Sequence, residues 1–184
     1  MTPASSSLDD ALFALLRVLE PLAVPYCVIG ALAIGVWGRP RATTDLDILI
    51  ALANQDRPRL QTTLEQQGFL YDLEWAEANP MIRETHLRFR RGGIPADLLL
   101  PRSAHEDSAL QRRRRQPLGA MTFSVIAPED LILHKLRAGR PRDFEDTLSV
   151  LQHQRGQLDE EYLETWAQRI GVAEELSYCR SLLR

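Results

Sequence analysis

The sequence predicts an α+β fold. Short apolar segments of strand character concentrate before residue 127, and everything from Pro128 onward reads as helix. Within the first part, the stretch VIGALAIGVWGRPRATTDLDILI over 28–50 passes from an apolar strand through a glycine turn and a helix. It ends in a second strand bearing Asp45 and Asp47. Domain organisation follows the same division, with a core over 1–126 and a helical region over 127–184 packing on it.

The elements follow in order. Leu8 to Glu20 has helical periodicity with Asp9 and Asp10 in its first turn, and Pro21 stops it. Tyr26 to Ile29 is a short strand, and Gly30 turns the chain into a helix from Ala31 to Trp37 that ends at Gly38. Thr44 to Ala51 is the aspartate strand, Asp56 to Gln67 a polar-faced helix ended by Gly68, and Phe69 to Trp75 another strand. Glu84 to Arg91 alternates basic and apolar residues, as a half-buried strand does. The Gly92-Gly93 turn then leads to a strand over Ala96 to Leu100. Arg112 to Arg115 closes a helix, and Thr122 to Ile126 is the last strand. Four helices follow: Pro128 to Ala138, Pro141 to Gln154, Leu158 to Ile170 and Ala173 to Leu183.

Composition narrows the function classes. The 184 residues are 45% apolar, enough for the core of one compact domain, and no apolar run approaches a bilayer span. The start MTPASSSLDD has neither a basic opening nor an apolar signal core, so a cytoplasmic protein without membrane partners is expected. Cys27 and Cys179 lie near opposite ends, and the four histidines show no metal-ligand spacing, which argues against zinc and disulfide frameworks. A net charge of −3 argues against a generally basic nucleic-acid-binding surface. Of the 22 basic residues 21 are arginine, so the lone lysine, Lys135, marks a place where a compact ammonium is wanted, or a chance survivor on an exposed helix.

Asp45 and Asp47 carry the chemistry. On a strand, residues i and i+2 share a face, so the two carboxylates project side by side. Like charges that close repel and raise each other's pKa unless a cation lies between them, and a divalent metal is the obvious cation. Asp97, in the apolar strand IPADLLL, would bring a third carboxylate if its strand pairs beside the first. Three hard oxygen ligands suit one or two Mg²⁺ (or Mn²⁺) ions sharing substrate phosphates. The structural alternative for Asp97 is a salt bridge to Arg88 or Arg90. Gly30 at a strand-to-helix turn lets backbone N–H groups approach a phosphate, and Arg39 and Arg41, in the loop leading to the aspartate strand, offer guanidinium groups for nucleotide phosphates.

The order hG(G/S/A), then DhDh, then a strand aspartate resembles the nucleotidyltransferase fold of the polymerase-β type, with Gly30, Ala31, Asp45, Asp47 and Asp97 at the matching positions. Ala31 stands where the wider family more often has Gly or Ser. The segment APEDLILHKLRAGRPRDFEDTLSVL is similar to the AbiEii-type abortive-infection toxin branch, with Lys135 and Asp143 at its lysine and RxxD-type motifs and Asp146 one turn on. The resemblance runs from about Tyr26 to Leu151. It implies a mixed sheet with flanking helices and transfer of an NMP from an NTP to a hydroxyl. Asp45, Asp47 and Asp97 would hold the metal, Lys135 would neutralise phosphate charge, and Gly30 and Ala31 would cradle the phosphates. It also implies an acceptor such as a tRNA 3′ end or a protein, and a toxin with a cognate antitoxin.

Other readings stand beside these. Asp143 in the first turn of a helix either caps it or orients Lys135, while Asp146, Glu129 and Asp130 read as structural. Arg112 to Arg115 is either a solvated helix end or an electrostatic track for RNA. A small-molecule nucleotidyltransferase of the antibiotic-modifying kind would use the same carboxylates. A non-catalytic nucleotide- or partner-binding protein would need none of them, and a phosphohydrolase lacks its histidine–aspartate pairing. The helical tail carries an apolar stripe of Trp166, Ile170, Leu176, Leu182 and Leu183, read as packing.

Overall fold

A computed structural model describes residues 7–183, so residues 1–6 of the opening segment lie outside the described residues. Contacts divide the chain into two compact units. One joins the residues up to Val28 with Thr43–Val125, and the other joins Ile29–Ala42 with the residues from Ile126 onward.

The first unit holds α1 (Leu8–Leu19), β1 (Tyr26–Val28), β2 (Leu46–Ile50), a short 3-10 turn (Asn54–Asp56), α3 (Arg57–Gln66), β3 (Leu70–Tyr71), α4 (Leu73–Ala78), β4 (His86–Arg91), β5 (Ile94–Leu99), α5 (Ala104–Arg112), β6 (Arg114–Leu118) and β7 (Met121–Val125); α2 (Gly30–Trp37) belongs to the second. Its seven-stranded sheet runs β3-β4-β5-β2-β1-β7-β6. The β2–β5 and β1–β7 pairs are parallel and the rest antiparallel, so the sheet is mixed. The central strands are the most apolar: every residue of β1 is buried, and in β2 only Asp47 is not. At the other extreme, β6 is the basic edge strand, with Pro117 withholding an N–H that a neighbour could accept. Ser7 caps α1 in a reciprocal box with Asp10.

Two stretches of this unit differ from the sequence reading. Residues 69–75 do not form one strand: β3 is two residues long, and the Asp72 carboxylate then accepts from the Trp75 N–H and starts α4. A side chain that caps competes with the ladder, and here the cap prevails. The arginine run is likewise split, with Arg112 ending α5 and Arg114 and Arg115 opening β6. Arg115, exposed on this edge, donates to Glu20 at 2.6 Å and to the Thr122 and Ser124 hydroxyls.

The second unit is helical. It comprises α2 together with α6 (Pro128–Ala138), α7 (Pro141–His153), α8 (Glu160–Ile170) and α9 (Ala173–Ser181). Gly139 closes α6 in the left-handed conformation, and Pro141 opens α7 at a first-turn position whose N–H has no helical partner anyway. Gly38 lets the chain after α2 run against α7, because a Cβ there would lie 2.7 Å from Ser149 Oγ and 3.2 Å from the Val150 nitrogen. The Trp37 indole N–H donates to the Ile126 carbonyl at 2.7 Å. Glu129 and Asp130 do more than serve a helix start. Both are buried, Glu129 accepts from the Asp159 backbone N–H at 2.9 Å, and Asp130 accepts from the Tyr162 hydroxyl at 2.6 Å, which fastens α8 to α6. Among the described residues no helix is long and apolar enough to cross a membrane.

Candidate active site

Backbone pairing in the first unit brings Asp47 and Asp97 together, with Asp45 two residues ahead of Asp47. Asp45 lies in the bend immediately before β2 and Asp47 within the strand, and both are half-buried. The parallel β2–β5 register sets Asp47 and Asp97 directly opposite each other. The Thr43 hydroxyl donates to Asp45 Oδ1 at 2.5 Å and orients that carboxylate.

Asp97 has other partners. Arg88 faces it across the antiparallel β4–β5 pair and donates from Nε to Oδ1 and from Nη2 to Oδ2, both at 2.7 Å. His86 Nε2 lies 3.1 Å from Oδ1, close enough for an ion pair but out of line for a hydrogen bond. The Arg88 guanidinium also sits 4.8 Å from the centre of the Trp75 ring, and that ring packs on His86 at 4.5 Å between centroids. Burial of Asp97 works against its charge, yet the neighbouring His86 and Arg88 outweigh burial and hold the carboxyl below the ordinary range. Arg90, the other candidate partner, pairs instead with Asp72 at 2.5 Å. Asp47 and Asp97 thus meet in register, while the Asp97 side chain is given to a cation the chain itself supplies. Among the described residues no group of three or more His, Cys, Asp or Glu side chains is arranged to hold a metal ion. The Asp45–Asp47 pair remains a fitting donor set for one Mg²⁺, an ion that takes one or two carboxylates and completes its shell with waters and substrate phosphates.

Gly30, Ala31, Arg39, Arg41, Lys135 and Asp143 belong to the second unit. Gly30 has φ +64°, a conformation glycine adopts without strain, and opens α2 with Ala31 buried in its first turn. The backbone N–H of Arg39 donates to Ser149 Oγ at 2.5 Å, and its side chain is exposed. Arg41 is committed to Asp146 through two parallel bonds, Nε to Oδ1 at 2.9 Å and Nη2 to Oδ2 at 3.0 Å. Lys135 reaches Asp143 Oδ1 at 2.9 Å and Asp146 Oδ2 at 2.8 Å, and the second oxygen of Asp143 accepts from the Arg140 N–H at 3.2 Å. Asp143 therefore caps α7 and holds Lys135 at once, so the two roles left open by the sequence coexist.

Two cations and two carboxylates balance in this buried cluster. Desolvation raises the Asp146 pKa, but Arg41 and Lys135 together take it below the ordinary carboxylate value. Asp146, read from sequence as structural, is the hinge of the cluster because it joins Lys135 to Arg41. The available signal was the three-residue spacing from Asp143, which puts both carboxylates on one helix face.

No protein-family model matches the chain, and no curated protein matches it in sequence. Solved structures do. The lincosamide adenylyltransferase LnuA, in a lincomycin-bound crystal structure, is 15% identical, with a TM-score of 0.55 over 79% of this chain and 97% of that one. The antibiotic-resistance factor ANT(2'')-Ia is 14% identical, with a TM-score of 0.59 over 91% and 94% of the two chains. TM1012, a candidate nucleotidyltransferase from Thermotoga maritima, is 14% identical, with a TM-score of 0.53 over 73% and 86%. The chain therefore has the nucleotidyltransferase fold, and at these identities the likeness speaks for the fold alone.

Proposed function

We propose that the chain is a metal-dependent nucleotidyltransferase that moves an NMP from an NTP to an acceptor hydroxyl. The support for this reading is Asp47 within β2, with Asp45 two residues before it at the strand's entry and Asp97 opposite Asp47, in a sheet of nucleotidyltransferase fold. A divalent cation bound by the pair would offset the triphosphate's charge and favour in-line attack at the α-phosphorus, with pyrophosphate leaving. Asp45 and Asp47 supply oxygen ligands, and Thr43 fixes the orientation of Asp45. The resemblance of Lys135 and Asp143 to the AbiEii-type motifs supports RNA, such as a tRNA 3′ end, or a protein as acceptor, together with a toxin role and a cognate antitoxin. A second reading, transfer to a small molecule, draws its support from LnuA and from ANT(2'')-Ia, the latter solved with adenylyl-2''-tobramycin.

The test is incubation with each α-³²P-labelled NTP, Mg²⁺ and total tRNA, with Asp47→Ala in parallel. Label on RNA that falls by about a thousandfold or more in the variant is the expected result. Mg²⁺-dependent NTP binding that needs Asp47, without labelled RNA, would transfer the reading to protein or small-molecule acceptors. Absence of both binding and transfer would overturn it in favour of a non-catalytic protein of this fold.

A further inference from the structure

We infer that the carboxylate face of this chain takes a single divalent cation, at Asp45 and Asp47, and that Arg88, held by Asp97, stands where a second cation would otherwise be needed. The inference rests on the nucleotidyltransferase reading and concerns how that site is charged.

Asp47 and Asp97 face each other in register, and Asp45 lies two residues before Asp47. Arg88 brings a positive charge to Asp97 from the neighbouring strand. Its two bonds to Asp97 use the fork geometry in which guanidinium and carboxylate fit each other best, and the Trp75 ring backs the guanidinium. Asp97 is 4% exposed, so a metal ligating it would have to displace Arg88 from a half-buried, doubly bonded position. Asp97 is then a positioning residue and Arg88 the fixed cation it positions. The register of β4 with β5, which sets residue 88 opposite residue 97, is the device that makes this possible.

The test is Mn²⁺ titration of the full chain, followed by electron paramagnetic resonance, with and without a non-hydrolysable NTP analogue. One Mn²⁺ per chain is expected. Its affinity should fall at least tenfold in Asp47→Asn and stay within about threefold in Asp97→Asn. Arg88→Gln, which uncovers Asp97, should admit a second Mn²⁺, and Arg88→Lys should restore one. The double variant Arg88→Gln with Asp97→Asn leaves neither charge alone, so it guards against a folding failure of the single variants, and it should again bind one. Two ions in the wild type with the second lost in Asp97→Asn, or an affinity loss in Asp97→Asn equal to that in Asp47→Asn, would overturn the inference while leaving the nucleotidyltransferase reading intact. Absence of any Mn²⁺ binding that depends on Asp47 would bring down both.

Discussion

Replacing Lys135 by methionine removes the ammonium from its cluster while nearly preserving side-chain volume. Lys135 is buried and lies within 2.9 Å of Asp143 and 2.8 Å of Asp146. Asp146 would keep its two bonds from Arg41, but Asp143 would be left with only the Arg140 backbone N–H. Breaking a buried ion pair from one side typically costs about 3–5 kcal/mol, because the remaining charge is desolvated without compensation. For a chain of this size each kcal/mol lowers Tm by roughly 2–4 °C, so Lys135→Met should melt about 6–20 °C below the wild type, as followed by circular dichroism at pH 7. Adding Asp143→Asn, which removes the orphaned charge, should recover more than half of the loss. Acid supplies a second readout. The Asp146 pKa is lowered by folding, so the stability it contributes is fully present above the unfolded value of about 3.9 and is lost as pH falls through the folded one. The wild type should therefore lose stability over that window more steeply than Lys135→Met, in which Arg41 alone holds the carboxylate. A Tm within about 2 °C of wild type for Lys135→Met, or no recovery in the double variant, would refute the argument that these charges are buried and interdependent.

Further expected outcomes rest on single contacts. Gly38→Ala should cost about 1–3 kcal/mol in urea unfolding, because its Cβ would meet Ser149 Oγ at 2.7 Å and the Val150 backbone at 3.2 Å; adding Ser149→Ala should relieve only the side-chain part. Tyr162→Phe should cost about 1.5–3 kcal/mol, the usual worth of a hydrogen bond to a charged group, and Asp130→Asn should not add to it in full because the two share one bond. Burial and the Glu20 carboxylate push the Tyr26 phenol above its ordinary value, so the unfolded chain loses that proton first as pH rises past about 10. Stability should fall over that alkaline window, and the fall should be shallower in Tyr26→Phe when unfolding is followed from pH 8 to 11.

What the sequence determined by itself was whatever local periodicity and spacing control. The α6 bounds at Pro128 and Ala138 are legible because proline and glycine act on their own residues, and the strand through Asp47 follows from its apolar run, although it begins at Leu46 and leaves Asp45 in the bend before it. The motifs around Gly30, Asp45 and Asp47 were enough to expect the nucleotidyltransferase fold that the solved structures support. Tertiary structure decided the partners. The sequence left Asp97 between a metal site and an arginine, and only the register of β4 on β5 chose Arg88 over Arg90. Asp146 reads from sequence as structural, and its partner Arg41, brought by the loop after α2, lies 105 residues away in the chain. Residues 29–42 group with the C-terminal helices despite their place in the chain, and the basic run at 112–115 divides between a helix and an edge strand. Each of these depends on which distant backbone comes alongside. That is settled by the summed burial of whole elements, and no local window of residues contains it.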